Sequence, residues 1–367
     1  QEAAARITGL GYDRIVVHTP FVGGGFGRRV TVDYVAEAVE VSKAVRAPVK
    51  VTWTREEDMR NDFYRPAVLG MLEAALDPDG RPIAWKHRIV GPDHMAHQLP
   101  RMIPASLPYG IPRALRNTAG ALASLILPRI VAGKKAVEGA APLAYALANV
   151  AVEYVHDDPG VPLGFWRSVA FSQNVFFVES FMDEIAAAAG RDPLELRLSL
   201  LNPAPRLKGV LKLAAEKANW GQPPPVNGYR GLAAYDFHGT HLAAVAEISV
   251  GKNDLIRVHR VVCAVNCGVV VNPKLVAAQI TGGIAFGLTA TLKSRVTVTE
   301  GRVDQGNFDD FPLLRMHEMP EVEVHIVPSA EPPTGIGESA VPIVAPAVAN
   351  AFFAATGRRI RRLPLHP

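Results

Sequence analysis

The sequence has few of the residues that crosslink small proteins or bind metals. It contains only two cysteines, Cys263 and Cys267, and no CxxC pair. Two thiols cannot build a disulfide framework, and without paired cysteines the chain lacks the usual ligands of zinc or of an iron–sulfur cluster. The 11 histidines form neither an HxH nor an HExxH motif. We therefore predict buried free thiols and no metal held by protein side chains.

Long hydrophobic runs are also missing. The longest apolar stretch, 119–131, is interrupted by Pro128 and Arg129, and it is shorter than the roughly 20 residues that a membrane-spanning helix needs. The sequence therefore predicts no transmembrane segment. Residues 1–10 show neither the basic start nor the apolar core of a signal peptide. Because the chain begins at Gln1 inside a helical stretch, we expect it to be part of something longer.

The chain has only a small excess of positive charge. Its 39 basic and 35 acidic residues give a net charge of +4, which permits an anionic ligand but does not indicate nucleic acid. The basic run at 358–362 is typical of a solvated helix end. No second basic patch with interleaved aromatic residues accompanies it, so nucleic-acid binding is not expected.

The 367 residues, 49% of them hydrophobic, are enough for about two domains. Helix and strand patterns are mixed, with hairpins rather than a regular βαβ alternation, which predicts an α+β fold. The stretch 202–228 is rich in proline and glycine and predicts the boundary between domains 1–205 and 206–367. The patterns predict strands at 14–18, 49–54 and 321–327, hairpins around 77–80 and 251–254, and helices at 173–189, from 193, from 273 and at 346–356.

A glycine-rich loop, FVGGGFGRR at 21–29, lies between a predicted strand and a predicted helix. Glycines allow backbone N–H groups to approach an anion closely, and a helix N-terminus favours negative charge. The loop is neither a P-loop nor a GxGxxG motif, since Arg28 occupies the third glycine position. A tight structural turn is the alternative, but so many glycines around one aromatic residue favour a ligand contact.

A second glycine loop, GIGESA at 335–340, formally fits the dinucleotide fingerprint. Residues 331–334 separate it from the preceding strand, and too little chain follows for a βαβ unit, so a dinucleotide role is rejected. The loop holds a carboxylate, Glu338, before a helix, where desolvation can prepare it to act as a general base. From spacing alone, a solvated loop glutamate is the favoured alternative.

Two further groups are candidates for ligand contacts. Gln279 stands beside Gly282 and Gly283 in a helical segment, where each glycine costs about 1 kcal/mol relative to alanine and needs a packing or ligand reason. Arg167 follows Trp166 in a loop and could grip an oxygen as a fork donor. Close helix packing and a surface arginine remain equally good explanations.

Taken together, these motifs resemble one family. Four ordered segments carry the resemblance, which covers almost the whole chain, with 91–135 matching least: GGGFGRR (23–29), GFWRSVAFSQN (164–174), CAVNCGVVVNP with QITGG (263–283), and PTGIGESAVPIVAPAVANAFFAATGRRIRRLPL (333–365). They resemble the molybdopterin-binding subunit of the xanthine dehydrogenase/aldehyde oxidase family, in particular its isoquinoline 1-oxidoreductase β-subunit group. The resemblance implies two molybdenum-cofactor-binding domains of mixed sheets with packed helices.

The resemblance also implies roles for individual residues. Glu338 matches the catalytic glutamate, which reverses the interpretation from spacing alone. Positions matching the cofactor-binding motifs are Gly24, Gly25, Phe26, Gly27, Arg167, Ser168, Val169, Gln279, Gly282 and Gly337. The cofactor is molybdopterin cytosine dinucleotide with molybdenum, held by the pterin rather than by protein side chains.

The implied activity is hydroxylation of an N-heteroaromatic or aldehyde substrate with water as the oxygen source. Electrons would pass to a [2Fe–2S] cluster on a partner subunit, with a cytochrome c as a candidate acceptor. The family subunit has a longer N-terminal half, so a chain that carries this half is an expected partner. We expect a cytoplasmic protein, or a periplasmic one if a signal lies upstream.

One other function remains open from the sequence, and the rejected dinucleotide role can still be tested. The chain could be a cofactor-free remnant or an assembly scaffold of the same fold, in which case the native complex would contain neither molybdenum nor cytosine nucleotide. A nicotinamide-dependent dehydrogenase based on GIGESA would require tight NAD binding.

Overall fold

In the described part of the chain the longer strands form two mixed sheets: the first has one antiparallel and one parallel pair, and the second has two antiparallel pairs and one parallel pair. The computed structural model describes residues 1–93, 133–224 and 228–365, with single positions and short runs between 94 and 132. The first sheet has the order β1 (Leu69–Leu76), β2 (Pro82–Gly91), β3 (Asn149–His156). The second has the order β4 (Tyr229–Phe237), β5 (Thr240–Val250), β6 (Ile256–Asn266), β9 (Glu321–Ile326); β7 (Val298–Thr299) and β8 (Arg302–Val303) pair separately.

Several of the described helices pack on these sheets, so the predicted α+β class is confirmed. They are α1 (Glu2–Thr8), α2 (Asp33–Val45), α3 (Arg55–Arg60), α4 (Phe171–Ala188), α5 (Pro193–Leu200), α6 (Pro205–Lys217), α7 (Pro273–Leu292) and α8 (Val344–Thr356). The helix starts predicted at 193 and 273 are confirmed, and a side chain caps each of these helices. Asp192 Oδ1 accepts the backbone N–H groups of Leu194 and Glu195, and Asn272 Oδ1 accepts that of Leu275.

Both predicted hairpins are confirmed. Asp77 Oδ1 accepts the backbone N–H groups of Asp79 and Arg81 and fixes the turn between β1 and β2. A short turn at Lys252–Asp254 joins β5 to β6. The side chain of aspartate can replace a backbone acceptor in this way, which explains why such turns are visible in the sequence.

Two predictions about local structure are wrong. Residues 14–18 and 49–54 belong to no strand ladder in the described part of the chain, because a strand forms only where a partner accepts its hydrogen bonds. The stretch 202–228, predicted to hold the domain boundary, contains helix α6. Its residues Leu207, Val210, Leu211 and Ala214 are fully buried at the helical spacing i, i+3, i+4, i+7. The predicted division at 205/206 falls at the start of this helix and remains a prediction. The stretch 91–135, which matched the family least, lies largely outside the described residues.

The second sheet is buried on both faces. Helices α7 and α8 cover one face, where Leu242 and Ala244 of β5 join the core. Helices α4, α5 and α6 cover the other face, where Ala243 and Val245 of β5 lie. Trp85 of the first sheet belongs to the same buried cluster. Because β5 has two buried faces, its sequence is a continuous apolar run rather than an alternating one.

Helix α7 is apolar over most of its length. Among the described residues it is the one helix that is long and apolar enough to cross a membrane by length and composition. Its side chains Ile280, Ile284 and Leu288 are fully buried against the second sheet. A core helix passes the same test of length and composition.

Candidate active site

A cleft of about 880 Å³ lies between the glycine-rich loop, the loop before α4, helix α7 and the loop before α8. Most of the residues that the sequence singled out line it, although they come from distant parts of the chain: Gly24, Gly25, Phe26, Arg167, Gln279, Gly282, Gly337 and Glu338. The remaining candidates, Gly27, Ser168 and Val169, lie behind the lining and support it. The fold therefore brings the predicted residues together in one place.

Arg167 connects three of the walls of this cleft. Its Nε and Nη2 donate to the carbonyl oxygen of Gly337 at 2.8 and 2.5 Å, and Nη2 also donates to Gln279 Oε1 at 3.1 Å. Burial lowers the pKa of Arg167, and the nearby charge of Glu338 opposes this shift. A planar guanidinium can serve both acceptors at once, so Arg167 fixes the loop of Glu338 relative to helix α7.

Ser168 and Val169 hold an unusual backbone behind the cleft. Their φ angles are 79° and 49°, in the left-handed region that a β-branched residue such as valine rarely adopts. Ser168 is fully buried, and its Oγ donates to the carbonyl oxygen of Glu338 at 2.7 Å. Strained backbone of this kind persists where the surrounding contacts enforce it. Nothing in the sequence signals this conformation, since glycine is the residue expected there.

Gly27 makes the contact between the glycine-rich loop and the loop before α4. It has φ 95°, and a Cβ atom at this position would lie 2.1 Å from the carbonyl oxygen of Phe165. Only glycine allows the two backbones to approach so closely. Gly27 therefore has a structural role that the sequence could not separate from ligand binding.

The glycines of helix α7 divide into two kinds. A Cβ atom on Gly283 would lie 2.8 Å from the Cβ of Ala340, and one on Gly287 would lie 2.7 Å from the carbonyl oxygen of Val341. These two glycines allow close packing of the loop before α8. Gly282, by contrast, has no heavy atom within 4 Å of the position of a Cβ and faces the cleft. Packing does not require a glycine at 282, so it keeps the cleft open.

An aromatic wall lines the cleft next to Arg167, and the sequence analysis missed part of it. The rings of Phe26 and Phe286 stack at 5.3 Å with 12° between their planes, and Trp166 lies 4.9 Å from Phe286. The guanidinium of Arg65 covers Trp166 at 4.2 Å. Phe286 could have been found from its position, since it follows Gly282 by four residues and Gln279 by seven on one helix face.

Glu338 lies at the edge of the cleft. Its side chain is exposed, and its carboxylate accepts no hydrogen bond from the described residues. The expected desolvation of this carboxylate is therefore absent from the described chain. Its backbone, however, is fixed, because the carbonyl oxygen accepts hydrogen bonds from Ser168 Oγ and from the backbone N–H of Val341. The carboxylate is free to reach into the cleft from an anchored position.

The cleft also has apolar lining from another segment. The segment that follows β8 supplies side chains that the sequence analysis did not single out: Phe311, Leu313, Leu314, Met316 and Met319. Irregular segments carry no periodic pattern, so their burial partners cannot be read from the sequence. The cleft thus combines the polar groups of Arg167 and Glu338 with apolar side chains from this segment.

Protein side chains do not cluster as metal ligands in the described ranges, where no group of three or more His, Cys, Asp or Glu residues is placed to hold an ion. Cys263 and Cys267 are free and buried, as predicted. Burial raises the pKa of the Cys263 thiol to about 12, so it is inert as a nucleophile or ligand.

The polar lining of the cleft fits an anionic pterin cofactor. Its groups are the backbone of the glycine loop, the Gln279 amide and the buried cation of Arg167, all of which suit oxygen-rich anions. The space beside Gly282, which a side chain would occupy, accommodates a bound group. Gly337, which also lines the cleft, likewise has no heavy atom within 4 Å of the position of a Cβ.

Comparisons with known proteins agree with this chemistry. Residues 1–104 and 169–320 each match a model described as a molybdopterin cofactor-binding domain. The chain is 31% identical to the beta chain of isoquinoline 1-oxidoreductase from Brevundimonas diminuta, covering 100% of this chain and 45% of the relative. It is also 31% identical to one of the subunits of nicotinate dehydrogenase from Pseudomonas putida, covering 96% and 30% respectively. The chain thus spans less than half the length of these curated relatives.

Solved structures show the same fold at low identity. Quinoline 2-oxidoreductase from Pseudomonas putida 86 superposes with a TM-score of 0.74 at 13% identity, covering 95% of this chain and 67% of that chain. Aldehyde oxidoreductase from Desulfovibrio gigas gives a TM-score of 0.70 at 15% identity, covering 94% and 53%.

Proposed function

Because the chain belongs to the molybdopterin-binding subunits of the xanthine dehydrogenase/aldehyde oxidase family, we propose that it is part of the large subunit of a molybdenum hydroxylase. The enzyme oxidises an N-heteroaromatic or an aldehyde substrate, with water as the oxygen source. One observation carries this proposal. The anchored Glu338, the Gln279 amide, the cation of Arg167 and the glycine loop, although distant in sequence, line one cleft.

When bound, molybdopterin cytosine dinucleotide with molybdenum supplies the redox chemistry. Gln279 and the backbone of Gly24 and Gly25 hold its polar groups, and the face opened by Gly282 receives it. Arg167 contributes a positive charge that favours an anion in this part of the cleft. In this proposal the protein binds and positions the cofactor, and none of these residues is a ligand of the metal.

Glu338 is the general base of this proposal. Its carboxylate is exposed to the cleft, while its backbone is tied to Ser168 and its neighbour Gly337 to Arg167. A base must lie within hydrogen-bond reach of the proton that it removes, and these two contacts fix the starting point of the side chain. The aromatic rings of Phe26, Trp166 and Phe286 offer flat apolar surfaces in the same cleft.

Other chains complete the proposed enzyme. As the family resemblance implies, we propose that electrons leave through a [2Fe–2S] subunit, with a cytochrome c as a candidate acceptor; the two buried free cysteines of this chain agree with a cluster held elsewhere. The polypeptide equivalent to the N-terminal half of the relatives completes the large subunit. We propose a cytoplasmic location, with the periplasm as the alternative.

Analysis of the native complex tests the proposal. The protein, purified with its partners, is expected to contain molybdenum and to release a cytosine nucleotide on acid hydrolysis. It should also reduce an artificial electron acceptor with isoquinoline or with an aromatic aldehyde, and the oxygen in the product should derive from ¹⁸O-labelled water. A complex that lacks both molybdenum and cytosine nucleotide contradicts the proposal and supports a cofactor-free scaffold.

A further inference from the structure

Arg65 is a cation beside the cleft that takes no part in the proposed chemistry. Its guanidinium carbon lies 4.2 Å from the centre of the Trp166 ring, and its Nη2 donates to Ser172 Oγ at 2.9 Å. Burial lowers the pKa of Arg65 to about 10, so the side chain is still charged at neutral pH. Among the described residues no carboxylate forms an ion pair with it. The partners of this cation are therefore an indole ring and a serine hydroxyl.

The backbone that carries Arg65 is joined to the loop before α4. The Tyr64 N–H donates to the carbonyl oxygen of Pro162 at 2.8 Å, and the Gly164 N–H donates to that of Tyr64 at 3.1 Å. These two hydrogen bonds form a parallel bridge between the segments. Arg65 therefore starts from a defined position next to the loop of Trp166.

Ser172 holds the guanidinium of Arg65 in place. Ser172 is buried, and its Oγ donates to the carbonyl oxygen of Val169 at 2.8 Å. A hydroxyl has one proton and two lone pairs, so Ser172 can accept from Arg65 and donate to Val169 at the same time. The hydrogen bond fixes one end of the planar guanidinium while the group lies over the indole ring.

Trp166 transmits this contact to the lining of the cleft. Its ring lies 4.9 Å from that of Phe286, which stacks on Phe26 at 5.3 Å, and all three rings line the cleft. A cation is attracted to the face of an indole ring, and the attraction grows when both groups are removed from water. Arg65 thus restricts the orientation of Trp166 and, through it, of the aromatic wall.

We propose that Arg65 is a positioning residue of the enzyme, which fixes Trp166 in the orientation that the aromatic wall of the active-site cleft requires. Arg65 is not part of the lining of this cleft, so it acts through the indole ring rather than on a ligand. A small displacement of a group that borders the reacting centre can cost a large factor in rate. The role in turnover rests on the proposed function, whereas the contact with Trp166 does not.

A double-mutant cycle on the native molybdenum-loaded complex tests the action through Trp166. Arg65→Met keeps an unbranched side chain but removes the cation and the donor, and it is expected to lower kcat/KM by roughly tenfold, equivalent to about 1.4 kcal/mol. In a Trp166→Leu background the same change should lower kcat/KM by less than about threefold, because the ring through which Arg65 acts is missing. Equal factors in the two backgrounds overturn the inference, since a merely structural role of Arg65 would act in both.

Hydroxyl-radical footprinting, read by mass spectrometry, gives a second measurement that does not depend on activity. Trp166 is only partly exposed, and Arg65 covers its ring. In Arg65→Met the modification of Trp166 in the native complex is expected to rise roughly twofold, because the face that the cation covered becomes open. Modification of Trp220, which follows helix α6, should stay the same. Unchanged modification of Trp166 overturns the inference even if kcat/KM falls.

Arg358→Met is the matched control. Arg358 also lies over an aromatic ring, 5.3 Å from the centre of Phe352, but its side chain is 60% exposed. This variant should change neither kcat/KM nor the modification of Trp166.

A second substitution keeps the cycle decisive if Arg65→Met does not assemble. Arg65→Lys keeps the charge without the planar fork, and it enters the same comparison between the parent and the Trp166→Leu backgrounds. A complex that contains no molybdenum contradicts the proposed function. In such a complex, footprinting of Trp166 still decides whether Arg65 holds the indole ring.

Discussion

The guanidinium of Arg167 donates two hydrogen bonds to the carbonyl oxygen of Gly337, a residue 170 positions away along the chain. The residues that follow Arg167 and Gly337 are joined as well, because Ser168 Oγ donates to the carbonyl oxygen of Glu338. The loop before α4 therefore holds the loop of the proposed base by two adjacent side chains. This double attachment decides where Glu338 starts, although its carboxylate contacts neither residue.

Replacing Arg167 with lysine tests this attachment. Lysine keeps the charge but cannot donate to Gly337 and Gln279 with the same planar fork. Since a hydrogen bond from a charged group contributes about 1.5–3 kcal/mol, we expect Arg167→Lys to lower kcat of the holoenzyme by roughly ten- to a hundredfold. Steady-state kinetics measures this, with Arg361→Lys at a side chain that is 69% exposed as the control. An unchanged kcat contradicts the positioning role.

Replacing Glu338 with glutamine tests the proposed base. The amide preserves the shape but does not accept a proton, so turnover should fall by a factor of roughly 10² or more. The molybdenum content should stay unchanged, because Glu338 holds no metal in this proposal. Glu331→Gln, an exposed glutamate in the same loop, is the matched control. Full activity of Glu338→Gln, measured with metal content in the same preparation, refutes the role of base.

Alanine at 282 and at 283 should have opposite effects on stability. Each change gains about 1 kcal/mol of helix propensity. Gly282→Ala meets no atom and should raise the free energy of unfolding of cofactor-free protein by about that amount. Gly283→Ala would place its Cβ 2.8 Å from Ala340 and should lower it.

Cofactor retention distinguishes the two helix positions further. The Gly282→Ala methyl group would occupy space in the cleft, so this variant should retain less molybdenum in spite of its greater stability. Chemical denaturation and metal analysis of the same samples measure both effects. Equal losses of stability in the two variants would show that position 282 is also packed.

His87 should make the protein sensitive to acid. Its ring is fully buried, lies 5.8 Å from the ring of Phe177, and has no hydrogen-bond partner among the described residues. Burial lowers the pKa of His87 to about 4, below the usual value of roughly 6.5 in an unfolded chain. The unfolded state therefore binds a proton that the folded state excludes.

The stability contributed by neutral His87 is complete above about pH 6.5 and is lost as the pH falls towards 4. The loss reaches roughly 3 kcal/mol, from about 1.4 kcal/mol for each unit of pKa difference. Unfolding of His87→Leu should depend less on pH in this window than unfolding of the parent protein. His317→Leu, at an exposed ring, should leave the dependence unchanged. A parallel pH dependence of His87→Leu and the parent protein contradicts the assignment.

Local signals were predictable because their causes are local. The caps Asp192 and Asn272 and the turn at Asp77 satisfy backbone groups within four residues along the chain, so the sequence alone reveals them. Helix α6 was missed because nearby prolines and glycines suggested a domain boundary, although its apolar spacing was helical. The segments 14–18 and 49–54 were predicted as strands from their composition. Pairing depends on a partner that the described part of the chain does not supply.

By itself, the sequence determined the class of fold, the local starts and turns, and the motifs that carry the family resemblance. Only the tertiary structure decided that Arg167 and Ser168 hold the loop of Glu338, and that Gly283 is packed while Gly282 is open to the cleft. The left-handed backbone of Val169 and the aromatic contact of Phe286 likewise appeared only in three dimensions. The physical reason is that these features depend on contacts between distant segments, whereas propensity and periodicity record only neighbours along the chain.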